Sequence, residues 1–132
     1  MVHRSELLLA SFLLLPLGAC GRAGEVTAAA AVEIRDLPAY PGATEIAHDI
    51  RAGHWGYHHG SVARHLLADA SLDQVKAFYQ KVIAEHGWQV IIATESHGGF
   101  HWHLFQGSSL GDIELTPRAD GKVEIFLERH DH

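Results

Sequence analysis

Cysteine is almost missing from this chain: Cys20 stands alone among 132 residues, so no disulfide can form within one molecule and the lone thiol needs its own explanation. Positive charge is also scarce. Ten Lys and Arg face 16 Asp and Glu, a formal charge of −6 with no basic stripe, which excludes a protein that grips nucleic acid by its phosphate backbone. Nor is there an apolar run of the roughly 20 residues that a membrane-spanning helix requires; the best candidate, Leu7 to Leu17, is interrupted by Ser11 and Pro16. The length leaves no room for a second large domain, and a hydrophobic content of 47% suffices for one modest core.

What the first twenty residues do contain is a leader pattern. His3 and Arg4 give a weakly positive start, the Leu7 to Leu17 stretch is apolar, and small residues lead to Cys20, as in a secretory signal peptide over residues 1–19. Leu17-Gly18-Ala19-Cys20 resembles the lipobox of bacterial lipoproteins. That resemblance implies cleavage before Cys20, a diacylglyceryl group on its sulfur and an acylated new amino terminus. Two or three acyl chains, at about 0.8 kcal/mol per buried methylene, hold a protein on a membrane where one chain does not. Gly21, rather than Asp, follows the cysteine; among lipoproteins of Gram-negative type this implies sorting to the outer membrane, facing the periplasm.

Residues 20–36 read as the lipidated cysteine and a flexible tether, because Gly21 to Val32 is a run of small residues without an apolar face. Residues 37–132 read as one α+β domain. Leu37-Pro38-Ala39-Tyr40-Pro41-Gly42-Ala43 imposes an extended lead-in and a turn. Strands are expected over Thr44 to Arg51, Ser61 to Leu67, Trp88 to Thr94, Phe100 to Gln106, Ile113 to Pro117 and Lys122 to Arg129, the last two joined through Ala119-Asp120-Gly121. Between the second and third, Ser71 to Gln74 has the form of a capping box, apolar residues recur at helical spacing from Leu72 to Ile83, and Gly87 suits a left-handed stop. The expected architecture has two layers: an antiparallel sheet of five to six strands with one amphipathic helix, about residues 72–86, packed across it.

The Leu-Pro-x-Tyr-Pro-Gly-Ala lead-in, Phe78-Tyr79 within the helix and Gly87-Trp88 after it resemble a group of small bacterial exported proteins and lipoproteins of uncharacterised function. The likeness covers about residues 37–130, implies a β-rich domain with a single helix, and carries no catalytic residues with it.

Histidine is abundant instead: twelve in all, every one but His3 downstream of Cys20. Six fall in two clusters, His54, His58 and His59, and His97, His101 and His103. On a strand, His101 and His103 leave the same face about 6 to 7 Å apart, so both rings can reach one metal, with His97 from the preceding turn as a third ligand. Such imidazole sets suit zinc, copper or nickel rather than calcium or magnesium. The competing account makes these rings solvated positions on an outer sheet face, and no recognised zinc spacing decides between the two. With an ordinary pKa near 6.5, about nine-tenths of eleven histidines charge at pH 5.5, enough to reverse the sign of the domain and attract it to an anionic surface.

Gly107-Ser108-Ser109-Leu110-Gly111, followed by Asp120 and His130, matches the Gly-x-Ser-x-Gly elbow of serine hydrolases, but that elbow needs a helix after the serine and here another strand is expected. The sequence therefore favours a non-enzymatic binding or accessory domain with no required cofactor, anchored to the membrane through Cys20 and meeting an envelope protein by an edge strand or a histidine-aromatic face. Metal binding is the second expectation and serine hydrolysis a remote third.

Overall fold

Strand-forming segments, short turns and one capped helix settle into a single antiparallel sheet. The computed structural model describes residues 33–51 and 60–131; Cys20, His54, His58 and His59 lie outside the described residues. Among the described residues, the fold consists of six strands, β1 Thr44–Arg51, β2 Gly60–Ala68, β3 Gln89–Ser96, β4 Gly99–Gln106, β5 Ser109–Pro117 and β6 Val123–Asp131, and one helix, α1 Leu72–Glu85. The sheet order is β1-β2-β6-β5-β4-β3, with every neighbouring pair antiparallel. This is the expected α+β architecture in two layers, at the upper end of the expected strand number.

Local chemistry accounts for most of the boundaries. Ser71 caps α1 by accepting from the Gln74 amide at 3.2 Å, and the Gln74 side chain accepts from the Ser71 amide at 3.0 Å, so two otherwise orphaned donors are satisfied reciprocally. The helix closes at Glu85, one residue short of His86, which serves as the C-cap. Gly87 follows at φ +74° and the Trp88 amide returns to the Ile83 carbonyl at 3.1 Å, the six-to-one bond of a Schellman stop. His97 and Gly98, both at positive φ, form the two-residue turn from β3 to β4, the left-handed pair that matches strand twist. In the lead-in, the Ala43 amide donates to the Tyr40 carbonyl at 3.0 Å around Pro41 and Gly42 at φ +80°, the requirement of a type II turn.

Alternation then sorts the two faces. Leu66, Trp102, Leu104, Ile113, Leu115, Val123, Ile125 and Leu127 are buried beneath Val75, Tyr79, Val82 and Ile83 of α1. Ile34 and Leu37 join this core, so packing reaches three residues further back than a domain beginning at Leu37. Two charged residues are also buried on the helix side: Arg64, forked onto Glu45 at 3.1 and 3.2 Å, and Arg129 at the far end of β6. The edges are β1 and β3, each interrupted by a bulge, a device that limits edge-to-edge pairing. Even so, Val90, Ile91 and Ile92 on β3 remain exposed.

Three strand ends differ from expectation by two residues or more, the first being that of β3, which runs on past Thr94 to Ser96. β5 begins at Ser109 rather than Ile113, because Gln106 pairs directly with Ser109 and Gly107, at φ +60°, needs only Ser108 to complete the turn. β6 runs on past Arg129 to Asp131.

Candidate metal site on the outer sheet face

The face opposite α1 carries the chemistry. Three neighbouring strands line up His103 on β4, Asp112 on β5 and Glu128 on β6, with His101 two residues along from His103 and His130 two along from Glu128. Strand alternation sends all five side chains to this one face, while the intervening Trp102, Ile113, Leu127 and Arg129 point into the core.

Asp112 is the centre of the group. Its Oδ1 lies 2.9 Å from His101 Nε2 and 2.8 Å from His103 Nδ1, so each ring presents an N–H that donates to the same carboxylate oxygen. On the other side, His130 Nε2 is 2.8 Å from Glu128 Oε1. Asp112, Glu128 and His130 each offer one ligand atom, and these atoms lie within 4.8 Å of one another. The donor set is of a kind that could hold a metal ion, since neutral imidazole and carboxylate are both established ligands. The Asp112 side chain is 19% exposed and the three imidazoles between 35% and 40%, which leaves the ligands supported yet open to solvent.

The expected pair His101 and His103 is thus brought together as the strand period requires. His97 is not the third partner. It is held in the β3–β4 turn, where it borders a cleft with Leu72, Asp73 and Lys76 at the start of α1, whereas Asp112 pairs with His103 about 13 Å further along the strand than Gly99. The third imidazole belongs to His130; it, Asp112 and Glu128 stand outside the two histidine clusters that the sequence singles out. An i, i+2 continuation of the wet positions Glu124, Phe126 and Glu128 is the signal that finds His130.

The remaining described histidines also have acidic neighbours: His48 near Glu45 at 3.8 Å, His65 near Glu124 at 3.5 Å and His86 near Asp36 at 3.2 Å. Burial raises the Asp36 carboxyl, but bonds from His86 and Gln106 and the charges of His86 and Arg129 outweigh it, leaving the group below its ordinary value. Among the aromatic residues beside these histidines, Trp102 is buried, Phe100 packs against it at 4.5 Å under the Lys76 ammonium, and Phe105 is half-buried; Trp55 and Tyr57 lie outside the described residues.

The Gly-x-Ser-x-Gly segment has a different role. Ser109 is buried on the helix side of β5, donates to Asp131 Oδ1 at 2.5 Å and accepts from Arg129 Nη2 at 3.0 Å. The Ser109 bond and the Arg129 guanidinium hold the Asp131 carboxyl below the usual carboxylate range. His130 projects to the opposite face of the sheet, so this serine and this histidine do not meet, and β5 takes the place of the helix that an elbow requires.

No protein-family model, curated protein or solved structure matches the chain.

Proposed function

We propose that this protein is a lipid-anchored lipoprotein of the bacterial envelope whose outer sheet face binds a transition-metal ion, acting as a non-enzymatic metal-binding domain. One observation carries the metal reading: three imidazoles, His101, His103 and His130, gather around the Asp112 carboxylate with Glu128 beside them. Mixed imidazole and carboxylate donors favour zinc, copper or nickel over calcium and magnesium. The anchoring half rests on Leu17-Gly18-Ala19-Cys20 and the apolar stretch before it. Contact with an envelope protein is supported separately by the exposed Val90, Ile91 and Ile92 on an edge strand, a feature that favours strand addition.

The test is calorimetry with zinc and copper on the full chain, untagged and purified in detergent. A His101→Ala, His103→Ala, His130→Ala triple variant is expected to weaken the tightest binding at least tenfold, since it removes all three ring nitrogens around Asp112 and leaves other histidines untouched. Unchanged affinity would place the metal elsewhere and end this assignment.

A further inference from the structure

Five donors share this face, one more than a tetrahedral ion accepts, and they are not spread evenly. His101 and His103 come from β4, Glu128 and His130 from β6, and Asp112 from the strand between. Neighbouring strands stand about 4.8 Å apart, so β4 and β6 are separated by about 9.6 Å. Each outer pair is already tight against a carboxylate: His101 and His103 on Asp112 at 2.9 and 2.8 Å, and His130 on Glu128 at 2.8 Å. Donors around one tetrahedral zinc, with bonds of about 2.0 Å, stand about 3.3 Å apart. Asp112, Glu128 and His130 already lie within 4.8 Å of one another, and His101 and His103 flank the same Asp112 oxygen from the other side, whereas drawing all the donors onto one ion means pulling two strands' side chains together over the middle one.

We infer that the face holds two divalent transition-metal ions bridged by Asp112, one bound by His101 and His103 from β4 and the other by Glu128 and His130 from β6. This rests on the metal-binding reading above and specifies its stoichiometry and architecture. A carboxylate can serve both sides because its two oxygens offer about four lone-pair positions, and ions sharing a bridge lie about 3.5 to 4 Å apart. That separation fits between strands whose centres are about 9.6 Å apart. Asp112 and Glu128 supply two negative charges to the pair, and Glu114, which stands opposite His101 in the register, adds a third nearby. Water completes the coordination at this open face. Mutual repulsion of the ions makes the second bind more weakly than the first.

Zinc titration of the full chain, read by native mass spectrometry and by calorimetry against a competing chelator, tests this. Equivalents retained by the variant lacking all four of His101, His103, Asp112 and His130 are subtracted as background, and circular dichroism checks that each variant keeps its fold. The wild type should take two specific equivalents. His130→Ala should keep one and His101→Ala, His103→Ala should keep one, while Asp112→Asn should weaken both by more than tenfold. A single specific equivalent that either variant abolishes would overturn the bridged pair and leave the one-ion reading standing. Binding that no variant alters would overturn both.

Discussion

Arg129 offers the strictest test of how the domain is held together. Its side chain is 4% exposed, yet each branch of the guanidinium is engaged: Nε donates to Asp131 Oδ1 at 2.8 Å, Nη1 to the Arg35 carbonyl at 2.9 Å and Gln106 Oε1 at 3.2 Å, and Nη2 to Ser109 Oγ at 3.0 Å. The Trp88 ring lies 5.1 Å from its centre. Arg129→Met keeps a long side chain against Trp88 and removes every donor. Breaking a buried charged network by losing one partner costs about 3 to 5 kcal/mol when the other partner stays dry. Here Asp131 is 60% exposed and keeps Ser109, so its charge is not stranded, and the guanidinium no longer has to be desolvated. The expected loss is therefore lower, about 2 to 3 kcal/mol, a value consistent with a few charge-assisted bonds.

Urea unfolding of the two chains measures it. With a slope of about 1 to 2 kcal/mol per molar for a domain this size, the midpoint should fall by roughly 1 to 3 M. Amide exchange at residues 34–37 should accelerate at the same time, because Arg129 ties the Arg35 carbonyl to β6. Arg129→Lys, which retains charge without the fork, should fall between the two. A Met variant as stable as the wild type would show that the cost of burying the guanidinium cancels its bonds, and the reasoning would be wrong.

Tyr79, fully buried and bonded to the Pro38 carbonyl at 3.1 Å, has its phenol pushed above the ordinary value by burial, only partly offset by a backbone bond to Tyr40 and the charge of Arg64. In the unfolded chain the phenol ionises near pH 10; stability is therefore full below that pH and is lost as pH rises above it, so thermal melts from pH 8 to 11 should fall more steeply for the wild type than for Tyr79→Phe. Gly99 begins β4 where an added methyl would run into the Leu115 carbonyl, so Gly99→Ala should cost about 1 to 3 kcal/mol and lower the melting temperature by roughly 5 to 15 °C; an unchanged melt would show that the β4–β5 ladder yields more readily than a packed sheet should.

The parts of the fold that could be read from the chain are those fixed by neighbours in sequence. The Ser71–Gln74 box, the Gly87 stop, the Asp120-Gly121 turn and the two-residue spacing of His101 and His103 each depend on a few adjacent residues, and each reappears in three dimensions. Pairing between distant strands has no such local mark. That β6 lies between β2 and β5 decides that Glu128 and His130 stand beside Asp112, and nothing within any single strand specifies it. Nearness in sequence also misled: His97 is only four residues from His101, but a left-handed turn commits it to the end of the hairpin.

The extent of β6 shows how the two faces depend on each other. Alternation through Val123, Ile125 and Leu127 ends, to the eye, at Arg129, because a charged residue at the next inward position breaks an apolar pattern. The strand nevertheless continues, since Ser109, Gln106, Asp131 and the Arg35 carbonyl satisfy that charge on the helix side. Two more residues in register carry His130 outward, opposite Leu110 and within ligand range of Asp112. The buried guanidinium on one face is thus what places the third imidazole on the other, and a strand that ended at Arg129 would leave His101 and His103 without His130 beside Asp112.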